Sequence, residues 1–165
     1  MRTKFINENK EDMKDIKTAT YHKAFKISVN DDDDELPLSF VYQNWQGNQS
    51  DLYGAFGVPE NIDHLTVING EITHTATMDR WMEATNYYHE WVTDGLIDME
   101  VFSQSQDAFL AKGKATDQKL GAFYWWESET VVTNPEDYIV LSPLTGPYGD
   151  QYIGVANTPE ISKGN

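Results

Sequence analysis

The stretch His64–Asp98, "HLTVINGEITHTATMDRWMEATNYYHEWVTDGLID", changes period halfway along. Its first part is two β-rich runs about Asn69-Gly70. That dipeptide supplies the two positive-φ residues of a type I′ turn, so the spacing predicts a hairpin. The second part has the period of a helix: Trp81, Ala84, Tyr88 and Trp91–Val92 form one stripe. Thr77 is the expected N-cap, with Asp79 in the first turn. Gly95 stands where a left-handed residue closes a helix, and Leu96–Ile97 can fold back on the last turn.

Working outward, Gly47, Gly54, Gly57 and Pro59 make 41–63 mostly loop, with a helical turn near Leu52. Further upstream, Met13, Ile16, Thr20 and Ala24, with Phe25, read as a short amphipathic helix. Residues 1–12 are mostly charged or amide and read as a frayed tail. Downstream, a helix is expected from Gln106 to Lys112, capped by Ser105 and stopped by Gly113. "KLGAFYWW" (119–126) and "DYIVL" (137–141) read as strands, and "SPLTGPYGDQ" (142–151) as loop. The order helix, hairpin, two helices, strand, strand gives an α/β class. Residues 13–165 are expected to form one α/β domain, with helices covering one face of a small sheet.

The chain has 165 residues, no cysteine and a formal net charge of −15. The length suits one domain with a real core. Five Trp, nine Tyr and seven Phe argue against wholesale disorder. The negative charge offers no counterion release, so a nucleic-acid partner is not expected. Anionic membranes are disfavoured alike, and no apolar run is long enough to insert in a bilayer. Thiolate metal sites, disulfides and thiol nucleophiles are excluded. The sequence as written carries no hydrophobic stretch of the secretory kind near Met1.

Three constellations could carry chemistry. "NDDDDELPLSF" (30–40) clusters carboxylates that a hard cation would relieve. A standard twelve-residue calcium loop started at Asp31 would put Leu36 at the glycine position and Tyr42 at the bidentate glutamate. A solvated acidic turn and a non-standard cation site are the two readings. Second, "YWWE" places Trp125, Trp126 and Glu127 in succession. On a strand the two indoles point to opposite faces; either both pack in the core or at its edge, or one packs in the core and the other stacks on a sugar ring beside a carboxylate. Trp45 sits among Gln43, Asn44, Gln46 and Asn48, an amide-plus-indole loop suited to sugar hydroxyls and ring faces, or to capping the core. Third, His22, His64, His74 and His89 show no HExxH spacing, and no nucleophile-elbow or phosphate-loop motif is present. Glu127 and Glu129 would share a strand face, with no positioned acid and base. The expectation is not an enzyme.

"YHKAFK…DELPLSF" (21–40), "GAFGV" (54–58), the run Asn69–Gln104, "FLAKGKA…KLGAF" (109–123) and "LSPLTGPYG" (141–149) occur in that order. Together they resemble the middle of the lipoprotein-type family 1 extracellular solute-binding proteins. These are the receptors of oligosaccharide ABC importers in Gram-positive bacteria, with alginate-binding relatives. The family pattern "EGLIDPE.FTQ" is matched by Asp94–Gln104, and the resemblance covers about 18–150. It implies a single partial lobe of a periplasmic-binding-protein-like (type II) fold: a small mixed sheet with flanking helices and one β-hairpin. It implies non-catalytic oligosaccharide binding, with Trp125, Trp126, Glu127 and Trp45 as ligand-binding candidates. An ABC permease is the implied partner and the cell surface the implied location. It also implies a calcium loop of form DxNxNGxxDE before Pro37, whose final pair falls on Asp34 and Glu35. Asn30 and Asp32 are stand-ins for its upstream ligands, the glycine is missing, and the segment between Lys26 and Asp34 is short for the family. Ca2+ is thus the one cofactor implied, at a weakened or lost site. Family members are about three times this length and close two lobes on the ligand. The alternative reading is therefore a truncated lobe that self-associates as an interaction module, or a gene remnant.

Overall fold

The computed structural model describes residues 35–45, 47, 49–117, 119–141 and 143–151. The expected helix over 13–25 and the tail 1–12 lie outside the described residues. In chain order the elements are α1 (Ser50–Tyr53), β1 (Leu65–Ile68), β2 (Glu71–His74), α2 (Asp79–Thr93), α3 (Gln106–Gly113) and α4 (Ser128–Val131), with 3-10 turns between them. The chain divides into two compact units, Met1–Asn48 with His89–Ser142 and Gln49–Tyr88 with Pro143–Asn165.

The hairpin forms as its turn dictates. β1 and β2 pair antiparallel with Ile68 opposite Glu71, and Asn69 and Gly70 take φ of 53° and 85°. Helix α2 starts one residue later than expected. Thr75–Thr77 is a 3-10 turn, and the Thr77 hydroxyl donates to His74 O (2.8 Å) instead of capping the helix. The Met78 carbonyl accepts from Trp81 N (3.0 Å) and Met82 N (3.4 Å) and so opens the helix. The C-terminus is as the sequence foretells. Gly95 has φ 69°, Gly95 N donates to Val92 O (3.0 Å) and Leu96 N to Trp91 O (2.8 Å). That pair of bonds is the Schellman pattern. Leu96 and Ile97 are buried.

In the first unit, Leu36–Ser39 runs parallel to two neighbours. Leu36 bridges Leu120 and Ser39 bridges Phe123 on one side; Leu38 bridges Ile97 on the other. Near-continuous burial from Pro37 to Val41 fits a strand covered on both faces. "KLGAFYWW" therefore contributes isolated bridges rather than a full strand. Pro37, with no N–H to give, lies between the two bridges. Within "DYIVL", Asp137 ends the 3-10 turn Pro135–Asp137, Tyr138 stands in a single β-bridge, and Ile139, Val140 and Leu141 are exposed. Helix α3 is capped by Ser105, whose Oγ accepts from Ala108 N (3.2 Å). Gly113 belongs to the helix; a side chain there would overlap the Val131 carbonyl, so this glycine serves close approach and not a left-handed stop. The segment after Trp126 is the helix α4, which overturns a shared strand face for Glu127 and Glu129.

The core of this unit gathers Val41, Phe109, Leu120, Val131 and Val132, with Leu36, Phe123, Trp125 and Tyr138 packed against them. A polar knot lies beside it. Buried Asp98 accepts from Ser39 Oγ (2.8 Å), Lys112 Nζ (2.6 Å) and Glu100 N (2.9 Å). Gln104 donates to Phe40 O (2.6 Å) and Ser39 Oγ (3.1 Å), and accepts from Lys112 (2.8 Å). Lys112 also pairs with Glu100 (2.5 Å). Burial alone would lower the Lys112 pKa; hydrogen bonds to Asp98 and Glu100, with their charges, outweigh it and raise it. Three separated sequence motifs thus meet in one network.

In the second unit Leu52, Ala55, Phe56, Val58, Ala84 and Tyr88 are buried. Tyr88 donates to Leu52 O (2.7 Å), and Tyr53 stacks on Trp81 at 5.5 Å. Glu60, fully buried, accepts from Thr75 Oγ1 (2.7 Å), Asn61 N (2.8 Å) and Trp81 Nε1, and meets His64 Nδ1 at 3.1 Å. A buried carboxylate with this many donors is compensated and ties loop, hairpin and helix together. "GPYG" is clamped to α2: Tyr148 donates to Glu83 (2.7 Å), and the Arg80 guanidinium lies 4.5 Å from the Tyr148 ring and 2.6 Å from Asp150.

Candidate functional site

The Val41–Gln49 loop is built to carry an indole outward. Asn44 N donates to Val41 O (3.1 Å) to close a turn, with Gln43 left-handed at φ 55°. Gly47 then passes against Tyr124. A β-carbon on Gly47 would stand 2.7 Å from Tyr124 Cβ, and its φ of 142° suits only glycine. This contact brings Trp45 beside Trp126. Their ring centroids are 4.8 Å apart and the planes meet at 81°.

The two indoles make an open, right-angled corner. Trp45 is 62% exposed and Trp126 69%. Large aromatics usually bury most of their surface, so two touching indoles left in water mark a contact surface. Trp125, by contrast, is half-buried, packs on Phe109 at 5.5 Å and lies against the core. Glu127 is exposed directly after Trp126 and supplies hydroxyl acceptors. Nearby, the Asn44 side chain donates to Gln106 Oε1 (3.4 Å), which places two amides on the same loop surface. The four cations among the described residues are all engaged elsewhere: Arg80 with Asp150, Lys112 with Asp98, Lys114 with the Glu129 and Val132 carbonyls, Lys119 with Asp117. Sequence reasoning missed Gly47 and Gln106. The only signal for Gly47 was a glycine inside an amide-rich loop, and nothing local pointed to Gln106.

Of the acidic run, Asn30, Asp32 and Asp34 lie outside the described residues. Glu35 is described, and it is 4% exposed with no hydrogen-bond partner for either carboxylate oxygen among the described residues. A buried, unpaired carboxylate costs several kcal/mol. A cation would offset that cost. Oxygen-only donors suit calcium. The spacing does not suit a complete loop: with Glu35 as the bidentate twelfth position, the first ligand falls on Ala24, the third on Lys26 and the glycine on Val29. Asn30, Asp32, Asp34 and Glu35 therefore fit a reduced donor set only. Among the described residues no group of three potential ligands converges.

No protein-family model matches the chain. It is 36% identical over 143 residues to the fructooligosaccharide ABC transporter substrate-binding protein FusA of Streptococcus pneumoniae, an alignment covering 86% of this chain and 26% of the relative. Two solved structures of that protein superpose on it. The EF-hand mutant in complex with fructo-nystose gives a TM-score of 0.79 at 30% identity, and the kestose complex 0.78 at 32%. Each match covers 93% of this chain and 32% of the other. An extracellular solute-binding protein from Bifidobacterium longum subsp. infantis shares the fold, with a TM-score of 0.73 at 20% identity over 89% of this chain and 33% of the other. The chain spans about a quarter of the curated relative and a third of the solved ones. The resemblance read from the motifs is thus met in sequence and in fold, over part of those proteins' length.

Proposed function

We propose that this chain, a partial counterpart of the substrate-binding proteins of oligosaccharide ABC transporters, contacts an uncharged oligosaccharide through the Trp45–Trp126 corner and performs no catalysis. The observation that carries the reading is the exposed indole pair on a chain related to sugar-binding transport proteins. An indole face stacks on the C–H face of a sugar ring, while Glu127 and the Asn44–Gln106 amides suit its hydroxyls. With the described cations engaged and a carboxylate beside the corner, an anionic sugar would meet repulsion. An ABC permease on the extracellular side is the partner this role entails. Trp125 supports the corner from the core and does not touch the ligand. The test is a fluorescence titration with kestose. Quenching that saturates in the wild type and is lost in Trp126→Ala supports the reading; a flat response at millimolar sugar contradicts it.

A second reading is carried by Glu35. We infer that its buried carboxylate, which has no hydrogen-bond partner among the described residues, is held by Ca2+ with Asn30, Asp32 and Asp34 as further donors. Calcium at a hundredfold its dissociation constant then adds about 2.7 kcal/mol of stability. A melting temperature raised by millimolar calcium in the wild type, and unmoved in Glu35→Gln, is the expected result. No shift in the wild type contradicts it.

A further inference from the structure

Two imidazoles meet at the open end of the hairpin. His64 directly precedes β1 and His74 closes β2. Their ring centroids are 5.9 Å apart, with the planes 29° from parallel. The first ring is held at backbone and side chain. His64 N donates to Asn61 O (3.2 Å), Thr75 N donates to His64 O (2.8 Å), and the Trp81 indole meets the ring at 5.8 Å and 84°. His64 takes φ 56°, a left-handed conformation that is strained for a non-glycine residue and collects at functional sites. Its Nδ1 lies 3.1 Å from Oε2 of buried Glu60. The other partners of that carboxylate are donors: Thr75 Oγ1, Asn61 N and Trp81 Nε1. His64 Nδ1 is therefore a donor too, which leaves the ring's lone pair on Nε2. A carboxylate that sets the tautomer and angle of an imidazole in this way is the usual support behind a histidine metal ligand. His74, exposed, supplies the second ring.

We propose that His64 and His74 form a site for a divalent transition-metal ion of the nitrogen-seeking class, such as Zn2+ or Cu2+, which joins the start of β1 to the end of β2. Two imidazoles that share such an ion, at a metal–nitrogen distance of about 2.0–2.1 Å, stand with their centroids about 5–6 Å apart. The pair already has that separation. No group of three protein ligands converges among the described residues, so water completes the coordination. Imidazole nitrogen selects against Ca2+ and Mg2+, which take oxygen. The net charge of −15 draws cations toward the surface. An ion held from both strands stabilises the hairpin, because the unfolded chain does not keep the two rings together.

The experiment is a calorimetric titration of the full chain with Zn2+ in millimolar calcium, which keeps carboxylate sites occupied. The imidazole resonances are followed by NMR in parallel. We expect the His64 and His74 signals to move together and saturate first, while that of His89, exposed on α2, stays in place. His74→Ala, at an exposed position, weakens zinc binding about tenfold or more, as the loss of one of two linked donors requires. His89→Ala binds as the wild type does. No binding at millimolar zinc, an unchanged affinity in His74→Ala, or zinc-induced shifts that leave out either His64 or His74 overturn the proposal. The wild-type resonances decide the matter even if His74→Ala does not fold.

Discussion

Lys112 and Gly47 show two ways in which single residues set the fold and the site. Lys112 neutralises buried Asp98 and meets Glu100 and Gln104. Lys112→Met leaves buried Asp98 without its cation and should cost about 3 kcal/mol in urea unfolding. The pH dependence has a definite sign. The folded-state pKa of Lys112 is raised from 10.5, so its contribution is fully present below pH 10.5 and is lost as pH rises through the higher folded value. The stability gap between wild type and Lys112→Met should therefore narrow above pH 10.5. An unchanged gap there would separate the raised pKa from stability. Gly47 acts on the site. Gly47→Ala forces the loop off Tyr124 and parts the two indoles. Two transitions 4.8 Å apart at 81° couple, so the wild type should give a paired far-ultraviolet dichroism signal that Gly47→Ala, Trp45→Phe and Trp126→Phe each abolish. Survival of the signal in Gly47→Ala would deny the glycine its positioning role. Neither role was legible in the sequence, because the partners Asp98 and Tyr124 are brought in by tertiary packing.

Local, periodic elements were the legible ones. The Asn69-Gly70 hairpin, the Trp81–Trp91 stripe, the Ser105 cap and the Gly95 stop are each fixed by residues within a few positions of one another. Where sequence reading went astray, a competing partner had decided. Thr77 lost the N-cap role because its hydroxyl is spent on His74 O. The strand expected over 119–126 became two isolated bridges, to Leu36 and Ser39, because the alternation of Leu36–Ser39 is broken between them. Ser128–Val131 turned helical beneath Gly113, whose missing side chain admits the Val131 carbonyl. At Gly95 the local rule gives a number. Gly95→Ala puts a β-carbon in the left-handed region and should destabilise by about 1–2 kcal/mol, read from the denaturation midpoint. A neutral result would mean that the Schellman turn can be replaced without strain.

At the scale of the molecule, the order of five motifs pointed to solute-binding proteins before any coordinates. The polar knot of Ser39, Asp98, Gln104 and Lys112 brings motifs far apart in sequence into one network. Which indole meets solvent was only half legible. Alternation along a strand separates Trp125 from Trp126, but it cannot say which side is core, and it says nothing of Trp45. The grouping of the chain into two compact units was not legible either, since each unit joins segments far apart in sequence. The account turns on the Trp45–Trp126 corner touching sugar. The most direct measurement is the set of indole N–H resonances, five in this chain, followed by NMR as nystose is added. The account predicts that the Trp45 and Trp126 signals, assigned by substitution, move and saturate while that of buried Trp91 stays in place. Movement of none, or movement with Trp45 and Trp126 left unshifted, would contradict it.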